Sequence, residues 1–227
     1  GADHVTVAPT MYLPSRALQA VVGFFLTWGV IASRSWRVNN QKSSASIGIG
    51  AFNMVRLPAY NAAGGHQRIA MRPDDDLMLG KILKDSGAHQ LLLFGNDMVS
   101  VEWYSTLSDA QRGFRKNAYA ALRYNFPVFV VATLGTLVQC VWPFIAVWTA
   151  TGEAQLLYGV TIGALLAAYA ITCVHARLPV WLTAFYPIAA LLQTSMLVIA
   201  VGHTLIAGGI DWRGTFYSLD QLKANRV

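Results

Sequence analysis

Residues 127–150 read PVFVVATLGTLVQCVWPFIAVWTA, with no charged side chain anywhere in the run. About 20 consecutive apolar residues suffice for a helix to cross the ~30 Å hydrocarbon core of a bilayer. Two more apolar blocks follow. Residues 155–174 are close to a single span, joined to the first by TGEAQ. Residues 179–208 form a longer block interrupted by Pro187, which suits one tilted helix or an interfacial segment followed by a span. Lipid offers no partners to backbone N–H and C=O groups, so only helices and closed barrels cross it. These unbroken runs lack the alternation of barrel strands and are expected to be helices.

Moving outward, the composition changes near residue 125. From Phe126 to Gly208 the formal charges are Glu153 and Arg177, whereas residues 1–125 carry them at an ordinary density. The whole chain is 12% charged against about a quarter for a soluble domain, so the deficit belongs to the second half. The net charge of +6 does not point to nucleic acid, because no basic run is interleaved with aromatics as single-strand binding needs. Arg112, Arg115, Lys116 and Arg123 instead crowd before the first apolar block, where cytoplasmic flanks gather positive charge. With that flank inside, Glu153 falls outside and Arg177 inside. A third crossing would put Arg213, Lys223 and Arg226 outside, in mild conflict with the same rule, and an interfacial or re-entrant piece near Pro187 would remove the conflict. Cys140 and Cys173 lie in apolar stretches and form neither a disulfide framework nor a metal site by spacing. The first residue is Gly1 with no signal peptide, so the native chain is expected to start at a processed site or further upstream.

Ahead of the boundary, residues 17–32 (ALQAVVGFFLTWGVIA) are apolar but short of a span, and Arg16 and Arg34 bracket them. A buried or interfacial helix is the preferred reading. RVNNQKSSAS is polar and loop-like. IGIGAFNMVR alternates small and apolar residues, which suits a short strand with close backbone approach at its glycines. RLPAYNAAGGHQ reads as a turn, a short helix and a glycine cap. PDDDLMLGKILKDSG reads as a helix, with Pro73 at its start, acids at the positive dipole end and Gly87 beyond its last turn. HQLLLFGNDMVSVEWY carries two strand-like pieces around Gly95-Asn96, and LSDAQRGFRKNAYAALRYN an amphipathic basic helix leading to the membrane.

Asp74-Asp75-Asp76 is the sharpest chemical signal. Three adjacent carboxylates repel each other, so they suit either an acid-rich helix N-terminus or a site where one takes a proton from an attacking hydroxyl. His66 follows Gly64-Gly65 and suits a capped loop or a phosphate contact. His175 and His203 lie at membrane segments, with interface or packing roles preferred. Trp103 and Tyr104 line an acceptor path or close the core.

The order GAFNMVRLPAY, GGH, DDD-LMLGK, VEWY, GFRKN, then membrane helices resembles the C-terminal part of a membrane-anchored family-2 glycosyltransferase, similar to ceramide glucosyltransferases and bacterial lipid-glycosylating relatives. The resemblance implies an α/β fold over residues 1–105, the second part of a glycosyltransferase-A-type domain. An amphipathic juxtamembrane helix at 106–125, transmembrane helices at 126–208 and a tail at 209–227 would follow. It implies Asp76 as general base with Asp75 as its acidic neighbour, Asp74 being an alternate register. Gly50, Asn53 and Arg56 would lie by the substrate cleft, with Gly64, Gly65, His66 and Trp103 also substrate-binding.

The family's Gln-x-x-Arg-Trp is absent here. The corresponding place reads Gly113-Phe114-Arg115-Lys116-Asn117, where Lys116 would face the diphosphate, with Asn117 beside it, or else snorkel. Asp211-Trp212-Arg213-Gly214-Thr215-Phe216-Tyr217 resembles the family's WRG-x-x-Tyr tail, an aromatic-basic interface anchor by default. The implied partners are the lipid bilayer, a nucleotide-diphosphate sugar donor and a lipid acceptor. The implied location is the cytoplasmic (inner) membrane, multi-pass, with the catalytic part facing the cytoplasm. A divalent cation (Mg or Mn) is expected of the parent enzyme, but its Asp-x-Asp ligands belong to a nucleotide-binding half that this sequence does not contain, so a truncated product or fragment is expected. Two alternatives stay open: a non-catalytic membrane-anchored remnant or partner subunit, and a processive polysaccharide synthase.

Overall fold

A computed structural model describes residues 1–224 apart from 71, 97 and 213. Arg213 and Arg226, which entered the tail and topology readings, lie outside the described residues. The chain divides into two compact units. One takes Gly1–Tyr12, Gly29–Trp103 and the described residues from Asp211 onward; the other takes Leu13–Trp28 and Tyr104–Ile210.

The first unit is built on β1 (His4–Ala8), the middle strand of a three-stranded sheet. β3 (Asn53–Val55) runs antiparallel beside it, with Thr6 opposite Asn53. β4 (Gln90–Phe94) runs parallel on the other side, with His4 opposite Gln90. β2 (Thr10–Tyr12) pairs in parallel with β5 (Ser100–Glu102). Because side chains alternate along a strand, His4, Thr6, Asn53 and Gln90 share one face of the three-stranded sheet and Val5, Met54, Leu91 and Leu93 the other. The polar face is the inner one. His4, Thr6 and Gln90 are fully buried, while Met54 is 58% and Leu93 45% exposed. Val7 of the second face is buried too, so that face is mixed, but the most deeply buried side chains of the sheet are the polar ones, against the usual pattern.

Two helices complete this layer. α2 (Leu57–Ala62) starts with Pro58 in its first turn and gives way to Gly64 at φ +83°. α3 (Asp75–Asp85) begins after Pro73 with two acids in its first turn. It ends in a Schellman motif. Gly87 adopts φ +87°, its N–H donates to the Lys84 carbonyl, and the Ala88 N–H donates to the Leu83 carbonyl. Met78, Leu79, Ile82 and Leu83 pack with Ala63 and Ile69 in a core against which Ala88 also rests. Each such Leu or Ile contributes about 1.5–3 kcal/mol.

The polar segment after residue 34 is held by side chains. The buried Lys84 ammonium donates to the carbonyls of Val38 and Asn40. Asn39 behaves as a one-residue strand: its amide donates to the Leu92 carbonyl and its Oδ1 accepts the Leu92 N–H at 2.7 Å, closing part of the outer edge of β4.

The second unit is helical. It holds most of α1 (Arg16–Ser33), then α4 (Leu107–Ala121), α5 (Phe126–Cys140), α6 (Trp142–Ala146), α7 (Gly152–His175) and α8 (Tyr186–Ala207). Tyr186 is its hub. The Trp28 indole N–H donates to the Tyr186 hydroxyl, and the rings of Phe24, Tyr169 and Phe144 lie 5.4, 5.4 and 5.9 Å from its own. The Tyr169 hydroxyl donates to the Ala20 carbonyl, and Gly23 gives the ring room, since a β-carbon there would sit a tight 3.1 Å from it. α4 lies along α8, with the Gln111 amide donating to the Met196 carbonyl.

Among the described residues, four helical segments are long and apolar enough to cross a bilayer, which marks a membrane protein: Arg16–Ser33, Phe126–Ala146, Gly152–His175 and Val180–Ala207. Three details differ from the sequence reading. Residues 17–32, read as short of a span, belong to the 18-residue α1, which by length and composition is long enough for one. The block at 127–150 is divided at Val141, ahead of Pro143, whose ring and missing N–H interrupt the ladder. Pro187 does not interrupt a helix; it sits in the first turn of α8, after a 3₁₀ stretch at Val180–Phe185. A two-stranded sheet of β6 (Gly209–Trp212) and β7 (Thr215–Ser218), then α9 (Leu219–Ala224), follow α8. The Trp212 and Tyr217 rings lie 6.0 Å apart.

Candidate functional site

The site grows from the start of α3. The three aspartates there take three different partners. Asp74 forms a two-pronged ion pair with Arg72 at 2.9 and 2.7 Å. Asp75 accepts the Asp76 N–H on Oδ1. Asp76 accepts the Leu77 N–H on Oδ1 and the Gly50 N–H on Oδ2, both at 2.8 Å. Burial pushes the Asp76 carboxyl above the usual carboxylate range. The Leu77 and Gly50 hydrogen bonds oppose that shift, and the charges of Asp75 and Asp74 reinforce it.

Gly50 is aimed by a loop that crosses the polar inner face of the sheet. IGIGAFNMVR is expected as a strand, yet only Asn53–Val55 is one. The preceding residues instead give their N–H groups to side chains. Ile47 donates to Gln90 Oε1, and Ile49 donates to Thr6 Oγ1 and Asn53 Oδ1. The Thr6 hydroxyl in turn donates to the Phe52 carbonyl, and the Phe52 N–H closes a turn onto Ile49. His4 Nε2 stands 2.9 Å from Asn53 Oδ1, and burial holds the His4 imidazole below its ordinary value.

The expected close approach at the glycines does occur. A β-carbon on Gly48 would lie 1.9 Å from the Asp76 carbonyl oxygen, and one on Gly80 would lie 2.4 Å from the Ile47 carbonyl. Loop and helix backbones therefore touch at two glycines one turn of α3 from the carboxylate. The Gln90 amide completes the crossing by donating to the Gly80 carbonyl.

The other sequence-derived candidates fall in different surroundings. Asn53 is engaged inside the loop, as above. Arg56 turns to the N-terminal segment, donating to the Ala2 carbonyl at 2.8 Å with Asp3 at 3.8 Å. Gly64 and Gly65 both adopt positive φ, and Gly65 makes room for the Tyr60 ring. The Tyr60 hydroxyl accepts the His66 N–H and lies 2.7 Å from His66 Nδ1. Trp103 follows β5 and is half-buried. Lys116 and Asn117 belong to the helical unit, half-buried on α4, where Asn117 Oδ1 and Arg115 Nε have no hydrogen-bond partner among the described residues. Gly113 of the same helix leaves space for the Tyr104 hydroxyl, which a β-carbon would approach to 2.2 Å.

Of the candidate residues, the structure thus joins Gly50, Asn53, Asp75 and Asp76. Sequence reasoning missed His4, Thr6 and Gln90, which belong to no motif; the alternation in HVTVA was the one signal for the first two, and Gln90 was read only as part of a strand-like piece. Among the described residues no group of three or more His, Cys, Asp or Glu side chains is placed to hold a metal ion.

The fold and site define a membrane protein with an α/β unit that carries a clamped, half-buried carboxylate. No protein-family description matches the chain, and no curated protein or solved structure is similar to it.

Proposed function

We propose that this chain is a family-2-type glycosyltransferase, or the acceptor-side part of one, working at the cytoplasmic face of the inner membrane. The donor is a nucleotide-diphosphate sugar and the acceptor a lipid or lipid-linked hydroxyl. The observation that carries the reading is the Asp76 carboxylate, fixed by the Gly50 N–H at 2.8 Å with its basicity raised by burial. Each carboxylate oxygen accepts one backbone N–H and keeps a second lone pair free. In the proposed step the acceptor hydroxyl gives its proton to Asp76 as its oxygen attacks the anomeric carbon. The bond from that carbon to the diphosphate breaks, and the diphosphate leaves with the electron pair.

The test is turnover of nucleotide sugar by the membrane-reconstituted chain, compared with Asp76→Asn. The reading expects transfer or donor hydrolysis in the parent and a loss of at least about 10²-fold in the variant, with donor binding kept. Equal losses of binding and turnover would count against a base.

One observation favours a second reading, a non-catalytic membrane-anchored remnant or partner subunit. Both Asp76 oxygens already hold backbone N–H groups, a structural task that needs no substrate. A folded parent chain without any turnover would put this reading first.

A further inference from the structure

α1 has the length and hydropathy of a membrane span, yet its tethers forbid a crossing. At its N-terminal end, Tyr12 is paired with Glu102 in the β2–β5 sheet, four residues before Arg16. At its C-terminal end, Asn39 is bonded to Leu92 through both amide atoms, six residues after Ser33. Leu92 is itself paired with Thr6, and Thr6 is six residues before Tyr12. Six extended residues reach at most about 20 Å. An α1 standing across ~30 Å of hydrocarbon would have to draw the small sheet, with its charged neighbours Asp3, Lys84 and Asp76, through lipid as well.

The packing of α1 agrees. Apart from Phe25, which meets Phe114 of α4 edge-on, the ring and backbone partners of its first turns come from Tyr169 to Tyr186, the short segment where α7 ends and α8 begins. The Arg16 guanidinium lies over Trp181, Ala20 and Gly23 meet Tyr169 and Leu178, and Phe24 and Trp28 meet Tyr186. A span running beside α7 would meet that helix along its length. Ala20 to Phe24 are also buried at five consecutive positions, which a helix bathed in lipid on one side does not show.

We propose that α1 lies in the plane of the membrane surface and that its C-terminal end docks on anionic lipid headgroups. Val30, Ile31 and Trp36 are exposed there (Trp36 65%), apolar side chains of the kind that interfacial helices bury at the headgroup boundary. Arg34 and Arg37 flank Trp36. Between Asp3 and Asp74 the chain carries Arg16, Arg34, Arg37, Lys42, Arg56, Arg68 and Arg72 and no acid, which suits a negative surface. This inference stands whether or not the chain transfers sugar.

The experiment is side-specific labelling of Ala17→Cys and Lys42→Cys in sealed vesicles containing phosphatidylglycerol, with a membrane-impermeant maleimide. Both positions are exposed, and the native Cys140 and Cys173 are buried, so the parent chain is the blank. Labelling of both sites from one and the same side is expected. Labelling from opposite sides, or of neither site until detergent dissolves the membrane, overturns the proposal. A spin label at Phe25, near the middle of α1, gives a second readout. A headgroup-level depth is expected, and a bilayer-centre depth overturns the in-plane placement.

Discussion

The backbone N–H of Gly50 reaches Oδ2 of Asp76 at 2.8 Å, joining positions 26 apart in the chain. The carboxylate is therefore oriented by a loop, and the loop is oriented by side chains of the neighbouring sheet. Four consequences can be measured.

Gly48 and Gly80 should tolerate no side chain. The β-carbons of Gly48→Ala and Gly80→Ala would meet backbone atoms at 1.9 and 2.4 Å, which neither loop nor helix can yield cheaply. A loss of about 3 kcal/mol or more is expected in chemical denaturation. Gly202→Ala, with nothing within 4 Å, is the control and should be neutral or slightly stabilising.

Asp76 should couple stability to acid in the unusual direction. Because burial raises its carboxyl, the folded chain binds that proton more tightly than the unfolded chain. Stability therefore falls as pH rises from the ordinary carboxylate value through the raised one, and is level above it. Asp76→Asn cannot ionise, so the parent should gain relative to the variant as thermal midpoints are followed from about pH 7 to about pH 3.5. Asn can accept only one of the two N–H groups, so the variant should also lose about 1 kcal/mol at neutral pH.

His4 should act in the opposite sense. Its imidazole is held below its ordinary value of 6.5, so the unfolded chain binds that proton more tightly. Stability is complete above 6.5 and is lost as pH falls from there through the lowered value. His4→Gln keeps a donor for Asn53 and should flatten the acid limb between about pH 6.5 and about pH 5 in the same denaturation series.

Asn39→Ala should cost about 1 kcal/mol and uncover the Leu92 edge. Light scattering during refolding should rise as that edge pairs with other chains. Asn39→Asp, which keeps the acceptor for the Leu92 N–H, should fall between the two.

The parts of this fold that obey ordinary patterning were legible. α3 announces itself by Pro73, its acids and Gly87; α2 and β4–β5 by their turn residues; the membrane-length helices by unbroken hydropathy. The sheet hid itself because its inner face is polar. His4, Thr6 and Gln90 carry none of the apolar character that marks a core strand, and β1 was not read at all. The glycines of IGIGAF announced a close approach but not its partner, since a contact with the Asp76 carbonyl depends on a helix more than twenty residues on. Of the site, the aspartate run was legible as an acid-rich helix start and the glycines near residue 50 as a close approach, while the choice of Asp76 and Gly50 as site residues rested on the family resemblance. The buttress behind them was not, because its members are joined only by the tertiary fold.

The inverted sheet also bears on how this unit must assemble. Of the inward side chains of the strand trio, Val55 rests on the apolar cluster of α3, whereas His4, Thr6, Asn53 and Gln90 would exchange water for nothing before the loop arrives. Their bonds to Ile47, Ile49 and Gly80 become available together, when the loop threads across the sheet. Nucleation should therefore belong to the apolar cluster of α3 with Ala63 and Ile69, and the sheet–loop layer should lock afterwards in a single concerted event.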